Sequence, residues 1–425
     1  MIQTDENAST PLVGDGGRVR WLMLVLYSLI AASNAFMFVW LASVSNLGVR
    51  HYNTSMRKIH GAAQAVYLGY ILAVPFAMAQ FQRLGLRWTI IIAGVLNAAG
   101  AVLRVVDDLN FIIAGSFLVG VAISFFIGAP TWLSSSWFND DERTTATSIA
   151  VLATQAGLAL GFIIPPIFIH KDNQSSMIPS FHYATAVVCI VIAILTAVLF
   201  RSEPRSLPPG PGIVQAVVQA ASNCQLMWVT IIFGIVTGIY WTLLLVLCSI
   251  FQDSYTNKEI GYLGSLYCCG GLASMVVTGI FFDQQASNPP YRAFIGISLM
   301  VSTVFLGVFT WVVQEKDSLM LAGFACTAIG VALPMVQPAL LELAVEYSAP
   351  ELSEEVSGTL LFLAAMAFGF FLPFLVEPPS IGAIVALTVA VGLCGLLVPL
   401  LSPDYKRTQQ RQSNDPHVPR ASKEA

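Results

Sequence analysis

Charge is what this sequence has least of. Asp, Glu, Lys and Arg make up only 10% of its 425 residues, against about 25% in soluble domains. With 56% hydrophobic residues and a mean hydropathy of +0.74, no soluble core could take so much apolar surface out of water. Basic clusters are missing too, which argues against nucleic acid as a partner. The formal net charge of -4 is too small to single out any other partner. Seven cysteines (Cys189, Cys224, Cys248, Cys268, Cys269, Cys326 and Cys394) are scattered, mostly inside apolar runs. They show neither zinc-type spacing nor a disulfide framework and read as small buried hydrophobes. There is no catalytic triad, phosphate loop or metal cluster, so neither an enzyme nor a cofactor is expected.

What the chain does have is apolar runs of about 20 residues, the length that crosses a bilayer. Twelve are read, at roughly 21–47, 60–81, 88–105, 110–133, 145–169, 180–200, 226–251, 259–282, 292–314, 318–344, 354–376 and 380–402. The first follows a polar tail with Arg18 and Arg20 and runs on to about Asn46. That is too long for a signal peptide, so it reads as a membrane anchor. One long internal break, "RSEPRSLPPGPG" (Arg201 to Gly212), is closed to helix by its prolines. A short amphipathic piece follows near Ile213 to Ala221. The division is then a tail (1–19), a six-helix half (20–201), a linker (202–225), a second six-helix half (226–402) and a tail (403–425). An all-α integral membrane fold of two equal halves is what a duplicated transporter gives.

Orientation follows the excess of Lys and Arg on cytosolic loops. With the N-terminus inside, thirteen of the 20 basic residues lie inside and seven outside. Both termini are then cytosolic. Glycosylation sequons at Asn53 ("NTS") and Asn173 ("NQS") fall outside, and the one at Asn7 falls inside. The membrane itself, plasma or endolysosomal, is left open, and a monomer is expected.

The densest run of charge is "SWFNDDERTTAT" (Ser136 to Thr147), holding Asp140, Asp141, Glu142 and Arg143. No His, Cys or further carboxylate lies nearby to complete a metal site. It reads as a cytosolic elbow between spans four and five. Asn139 or Asp140 would cap the next helix, and the charges would pair with Arg83 or Arg87 across the same face.

The stretch "APTWLSSSWFNDDERTTATSIAVLATQAGLALGFIIPPI" (Ala129 to Ile167) resembles helices four and five of the feline leukaemia virus subgroup C receptor-related family, within the major facilitator superfamily. "YSLIAASNAF" in span one, "GLR" (Gly85 to Arg87), "GIVTGIYW" (Gly234 to Trp241) and "PALLELAVEYSAPE" (Pro338 to Glu351) resemble it in the same order. The resemblance implies a twelve-helix alternating-access carrier. Relatives are associated with choline and ethanolamine uptake, haem export and lysosomal vitamin B6 transport. It also implies that Gln155 contacts the hydroxyl or amine end of a substrate. Tyr240 and Trp241 fill the family's paired-aromatic position, and Phe38 stands where the family has a cage tryptophan. Departures are Trp40 two residues further on, about 200° round the helix, Met366 where some relatives have a glutamine, and Gln82 for the superfamily's acidic residue. Asp283 is that acid's counterpart in the second half.

Polar groups near the bilayer midplane are costly and each needs a reason. The candidates are Asn34, Asn97, Gln155, Tyr240, Trp241, Tyr267 and Gln337. Each can also serve as a helix–helix hydrogen bond. A ring face attracts a quaternary ammonium by roughly 0.5–2 kcal/mol. No Asp, Glu, Lys or Arg falls near the middle of a span; Glu342 and Glu346 lie at the inner end of span ten and Arg104 at the outer end of span three. This favours facilitated diffusion over proton coupling and disfavours a strongly anionic solute. Three readings stand: a carrier of a choline- or ethanolamine-like cation, a haem or porphyrin transporter, and a non-transporting receptor or scaffold.

Overall fold

A computed structural model describes residues 16–202, 217, 218, 222–284, 290–315, 318–348, 354–377 and 379–402. The tail 403–425, most of the tail 1–19 and most of the linker with its amphipathic piece lie outside the described residues. So do the side chains of Gln82, Asp140, Asp141 and Asp283.

Among the described residues, twelve helices are long and apolar enough to cross a membrane. In chain order the spans are Gly17–Ser43, Met56–Gln80, Arg83–Arg104, Leu109–Phe126, Thr145–Phe168, Gln174–Leu199, Cys224–Phe251, Asn257–Phe282, Tyr291–Glu315, Leu319–Ser348, Val356–Val376 and Ile381–Leu400. An even number of crossings returns the chain to the end where it began, here called the near end. The connections 44–55, 105–108 and 169–173 lie at the far end, and both Asn53 and Asn173 are there. The protein is therefore built as a multi-pass integral membrane protein.

Local chemistry sets the breaks. Spans two and three run through one helical segment, Met56–Arg104, interrupted only at Gly85, whose φ of 76° is open to glycine at little cost. The run read as 110–133 divides: span four stops at Phe126, and a separate helix, Ala129–Trp137, starts with Pro130 in its first turn. Span ten is likewise two helices, Leu319–Ala332 and Val336–Ser348, parted at Pro334, which cannot continue the backbone ladder. Asp108 and Asn223 cap spans four and seven through their side chains, and Thr256 with Glu259 closes a reciprocal capping box ahead of span eight.

Close helix crossings come from small residues. A side chain on Gly120 would strike the Val66 carbonyl, and one on Gly69 the Phe117 carbonyl, so spans two and four touch backbone to backbone. Six spans pack into each half. The halves meet chiefly where span five lies on span eight and span two on span eleven. Span seven is buried on nearly every side.

The acidic elbow forms as a helix start, but its partner differs from the expectation. Asn139 occupies the N-cap without a side-chain bond. Glu142 forms a two-pronged pair with Arg20 of span one, at 2.6 and 3.0 Å. The parallel packing of spans one and five brings Arg20, not Arg83 or Arg87, to this carboxylate. Arg87 instead lies 5.9 Å from the Trp88 ring centre. Arg143 is exposed in the first turn. Glu342 is exposed and Glu346 buried on the helix Val336–Ser348 at the near end.

Candidate functional site

The ring expected from the sequence at Phe38 is turned toward the seam between the halves. Phe38 meets Tyr67 of span two edge to face, with centroids 5.3 Å apart. Tyr67 in turn stacks on Trp241 of span seven at 6.0 Å and 25°. Three rings from spans one, two and seven thus form one aromatic group, and it bridges the two halves. Gly369 of span eleven packs against Tyr67: a Cβ there would lie 3.0 Å from the ring. Trp40, two residues beyond Phe38, lies on the other side of span one against Phe181 and His182. Tyr67 was not among the sequence candidates, because an aromatic residue in an apolar run gives no signal beyond packing.

Tyr240 and Trp241, neighbours in sequence, are parted by the helix. One residue turns an α-helix by about 100°, so Trp241 faces the seam while Tyr240 faces the interior of the second half. Tyr240 is fully buried and stacks on Tyr267 at 4.8 Å, and the Tyr267 hydroxyl donates to the Tyr240 carbonyl at 2.9 Å. The Tyr240 hydroxyl points toward Gly271 and the break at Pro334. Gln337 lies just past that break, buried, in the first turn of the second helix of span ten.

Asn34 and Asn97 are placed inside the first half. Asn34 Nδ2 donates to Asn97 Oδ1 at 2.9 Å and to the Val119 carbonyl at 3.0 Å; Asn97 Nδ2 donates to Ser33 Oγ at 3.2 Å. Their amides tie spans one, three and four together. The acceptors that these donors meet all belong to the framework of the first half, the helix–helix role that the sequence also left open.

Gln155 does reach the seam. Span five runs beside span one, with Gly157 against Ala32 and Gly161 against Phe36. Gln155 therefore sits about two turns, or roughly 12 Å of helix rise, nearer the termini than Phe38. Its Nε2 lies 3.7 Å from Met275 Sδ of span eight, across the seam, a weak bond to sulfur. Its Oε1 is buried with no partner, as is the Tyr67 hydroxyl. A buried polar atom left unpaired costs about 1–3 kcal/mol. Both of these atoms lie on the seam. Met366 of span eleven is buried.

Two charged groups away from the seam, Arg104 and Asp107, are tied within the first half. Arg104 is buried and donates to the Met37 carbonyl at 2.7 Å and to Ser116 Oγ at 2.8 Å. At the far end Asp107 takes Tyr52 at 2.7 Å and His51 at 3.0 Å. Burial, with that bond to a carboxylate, raises the Tyr52 phenol well above its ordinary range, so it stays a donor. The Tyr52 hydroxyl also lies 3.3 Å from His182 Nε2.

The family model of the Major Facilitator Superfamily matches residues 21–362. Among curated proteins, the human choline/ethanolamine transporter FLVCR2 is 25% identical over 375 residues, covering 83% of this chain and 70% of its own. The cat choline/ethanolamine transporter FLVCR1 is 28% identical over 382 residues, 82% of this chain and 66% of its own. Among solved structures, a D-xylose-proton symporter superposes with a TM-score of 0.70 at 13% identity, over 91% of this chain and 98% of that one. A bacterial homologue of the human lysosomal transporter Spinster, inward-facing and unoccupied, superposes at 0.62 and 13% identity, over 95% and 93%. The relatives agree with the resemblance read from spans one, four, five, seven and ten. With its twelve spans in two halves, its seam-facing polar groups and a family match over most of its length, this chain belongs to the major facilitator superfamily.

Proposed function

We propose that this protein is an alternating-access carrier that moves a small organic cation of the choline and ethanolamine class by facilitated diffusion. The observation that carries the reading is the seam itself: three rings from both halves at one level, and an unpaired glutamine oxygen about two turns below. The rings suit an ammonium head. Gln155 suits a hydroxyl or amine at the other end of the solute. The names of the relatives point to the same chemistry. Arg104, the buried cation a haem propionate would seek, is bonded to Met37 and Ser116 within the first half, and this favours the small cation over haem. Both termini are assigned to the cytosol, the protein acts as a monomer, no nucleic acid takes part, and the membrane is plasma or endolysosomal.

Uptake of radiolabelled choline and ethanolamine in transporter-deficient cells tests this. The wild type is expected to move at least one of them. Gln155→Leu is expected to reach the membrane normally and to lose about 5- to 10-fold in affinity, the worth of one hydrogen bond to a solute. If the wild type moves neither and loads haem instead, the reading is wrong. At zero membrane potential, a proton or sodium gradient should drive no accumulation of solute above equilibrium.

A further inference from the structure

The far end of the bundle carries three polar ties between the halves. Asn46 Nδ2 donates to Asn257 Oδ1 at 2.8 Å. Arg57 Nη2 donates to the Glu377 carbonyl at 3.1 Å. His60 Nδ1, one turn further into span two, stands 3.0 Å from Glu377 Oε1 at the end of span eleven. The His60 side chain is wholly buried and that of Glu377 is 6% exposed. At this distance the two form an ion pair when the ring carries a second proton, and neither ring nitrogen nor Oε1 has an aligned hydrogen bond. Without that proton nothing in the geometry replaces the attraction. A buried carboxylate without a countercharge is costly, so the ring's proton decides whether this contact holds.

The charged and titratable groups on the elements packed here are few. Span two adds Arg57 and Lys58, and the short helix Ser45–His51 adds Arg50 and His51, the latter on Asp107. Asp108 caps span four, Cys248 lies on span seven, and Asp253 follows it. Among the described residues none of these pairs with His60 or Glu377, except Arg57 through the Glu377 carbonyl.

We propose that His60 and Glu377 form a proton-operated lock that closes the far mouth of the carrier. With the proton on His60, imidazolium and carboxylate hold spans two and eleven together. Loss of that proton leaves a buried carboxylate against a neutral ring, and the carboxylate recovers its hydration only when the mouth opens. The lock therefore holds while the proton is on the ring and loosens once it is lost. It acts on the rate of opening and is indifferent to which solute is carried.

Cys248 supplies a reporter. It is fully buried on span seven and lies against Ser45 and Asn46 of the first half, beneath the far mouth. In proteoliposomes of the full chain, a membrane-impermeant methanethiosulfonate carrying a quaternary ammonium is applied from the far side. Labelling of Cys248 is read by peptide mass spectrometry for wild type, His60→Gln and Glu377→Gln. The ratio of wild type to His60→Gln cancels the pH dependence of the thiol itself. At about pH 5.5 the wild type is expected to label about tenfold more slowly than His60→Gln, and at about pH 8 equally fast. Glu377→Gln should track His60→Gln at both. A ratio that does not change with pH overturns the lock, as does failure of Cys248 to label in either variant at any pH. If the single variants do not reach the membrane, the exchange His60→Glu with Glu377→His restores the pair. It should keep the wild-type pH profile, and a flat profile there also overturns the lock. Solute uptake is not read, so these outcomes stand apart from those of the substrate test.

Discussion

Replacing Trp241 by Leu separates a cation cage from ordinary packing. The indole is half-buried and stacked on Tyr67, which also meets the edge of the Phe38 ring. Leucine keeps the site apolar and fills much of the space, but it has no ring face. A cation over an aromatic face gains roughly 0.5 kcal/mol when exposed and about 2 kcal/mol when desolvated. At about 1.4 kcal/mol per factor of ten, the loss is between about 2-fold and about 30-fold in affinity for a quaternary ammonium. Burial of Tyr67 places the site nearer the desolvated limit. The assay is inhibition of labelled choline uptake by unlabelled choline and by 3,3-dimethylbutan-1-ol, which has the same shape without the charge. The wild type should prefer choline strongly. Trp241→Leu should lose most of that preference while binding the neutral alcohol about as before. Equal weakening toward both compounds would show that the indole only fills space, and no weakening would remove it from the site.

Two further outcomes follow from residues outside the aromatic group. Arg104→Lys keeps the charge but cannot span both the Met37 carbonyl and Ser116 Oγ. Loss of one bond from a charged donor is expected to cost about 1.5–3 kcal/mol and to lower the Tm of the detergent-solubilised protein. An unchanged Tm would mean the second bond contributes nothing. At the far end, Asn53 is exposed, whereas Asn173 Nδ2 already donates to the Phe168 carbonyl at 2.9 Å. In a eukaryotic host the glycosidase-sensitive mobility shift should vanish in Asn53→Gln. A shift lost only in Asn7→Gln would reverse the assigned orientation.

Most of the architecture was written in one-dimensional features of the sequence. Hydropathy alone located twelve spans, because a segment in lipid must be apolar along its whole length whatever its neighbours are. The breaks at Pro130 and Pro334 were not read, and the runs 110–133 and 318–344 passed through them, because Pro75, Pro165, Pro179 and Pro373 sit inside unbroken helices and proline alone does not say which helix divides. The 200° offset between Phe38 and Trp40 could be read from helix geometry, and the two rings do lie on opposite sides of span one. Pairing was another matter. Tyr240 and Trp241 looked like one aromatic unit, and only the neighbours of span seven decided which ring meets the seam. Asn34 and Asn97 resembled substrate contacts because a buried amide looks the same from sequence whether a solute or Val119 satisfies it. Glu142 chose Arg20, 122 residues away, and His60 chose Glu377, 317 positions further along the chain. Such partners are set by which helices lie side by side, and a buried charge finds its countercharge across space, where sequence order carries no distance.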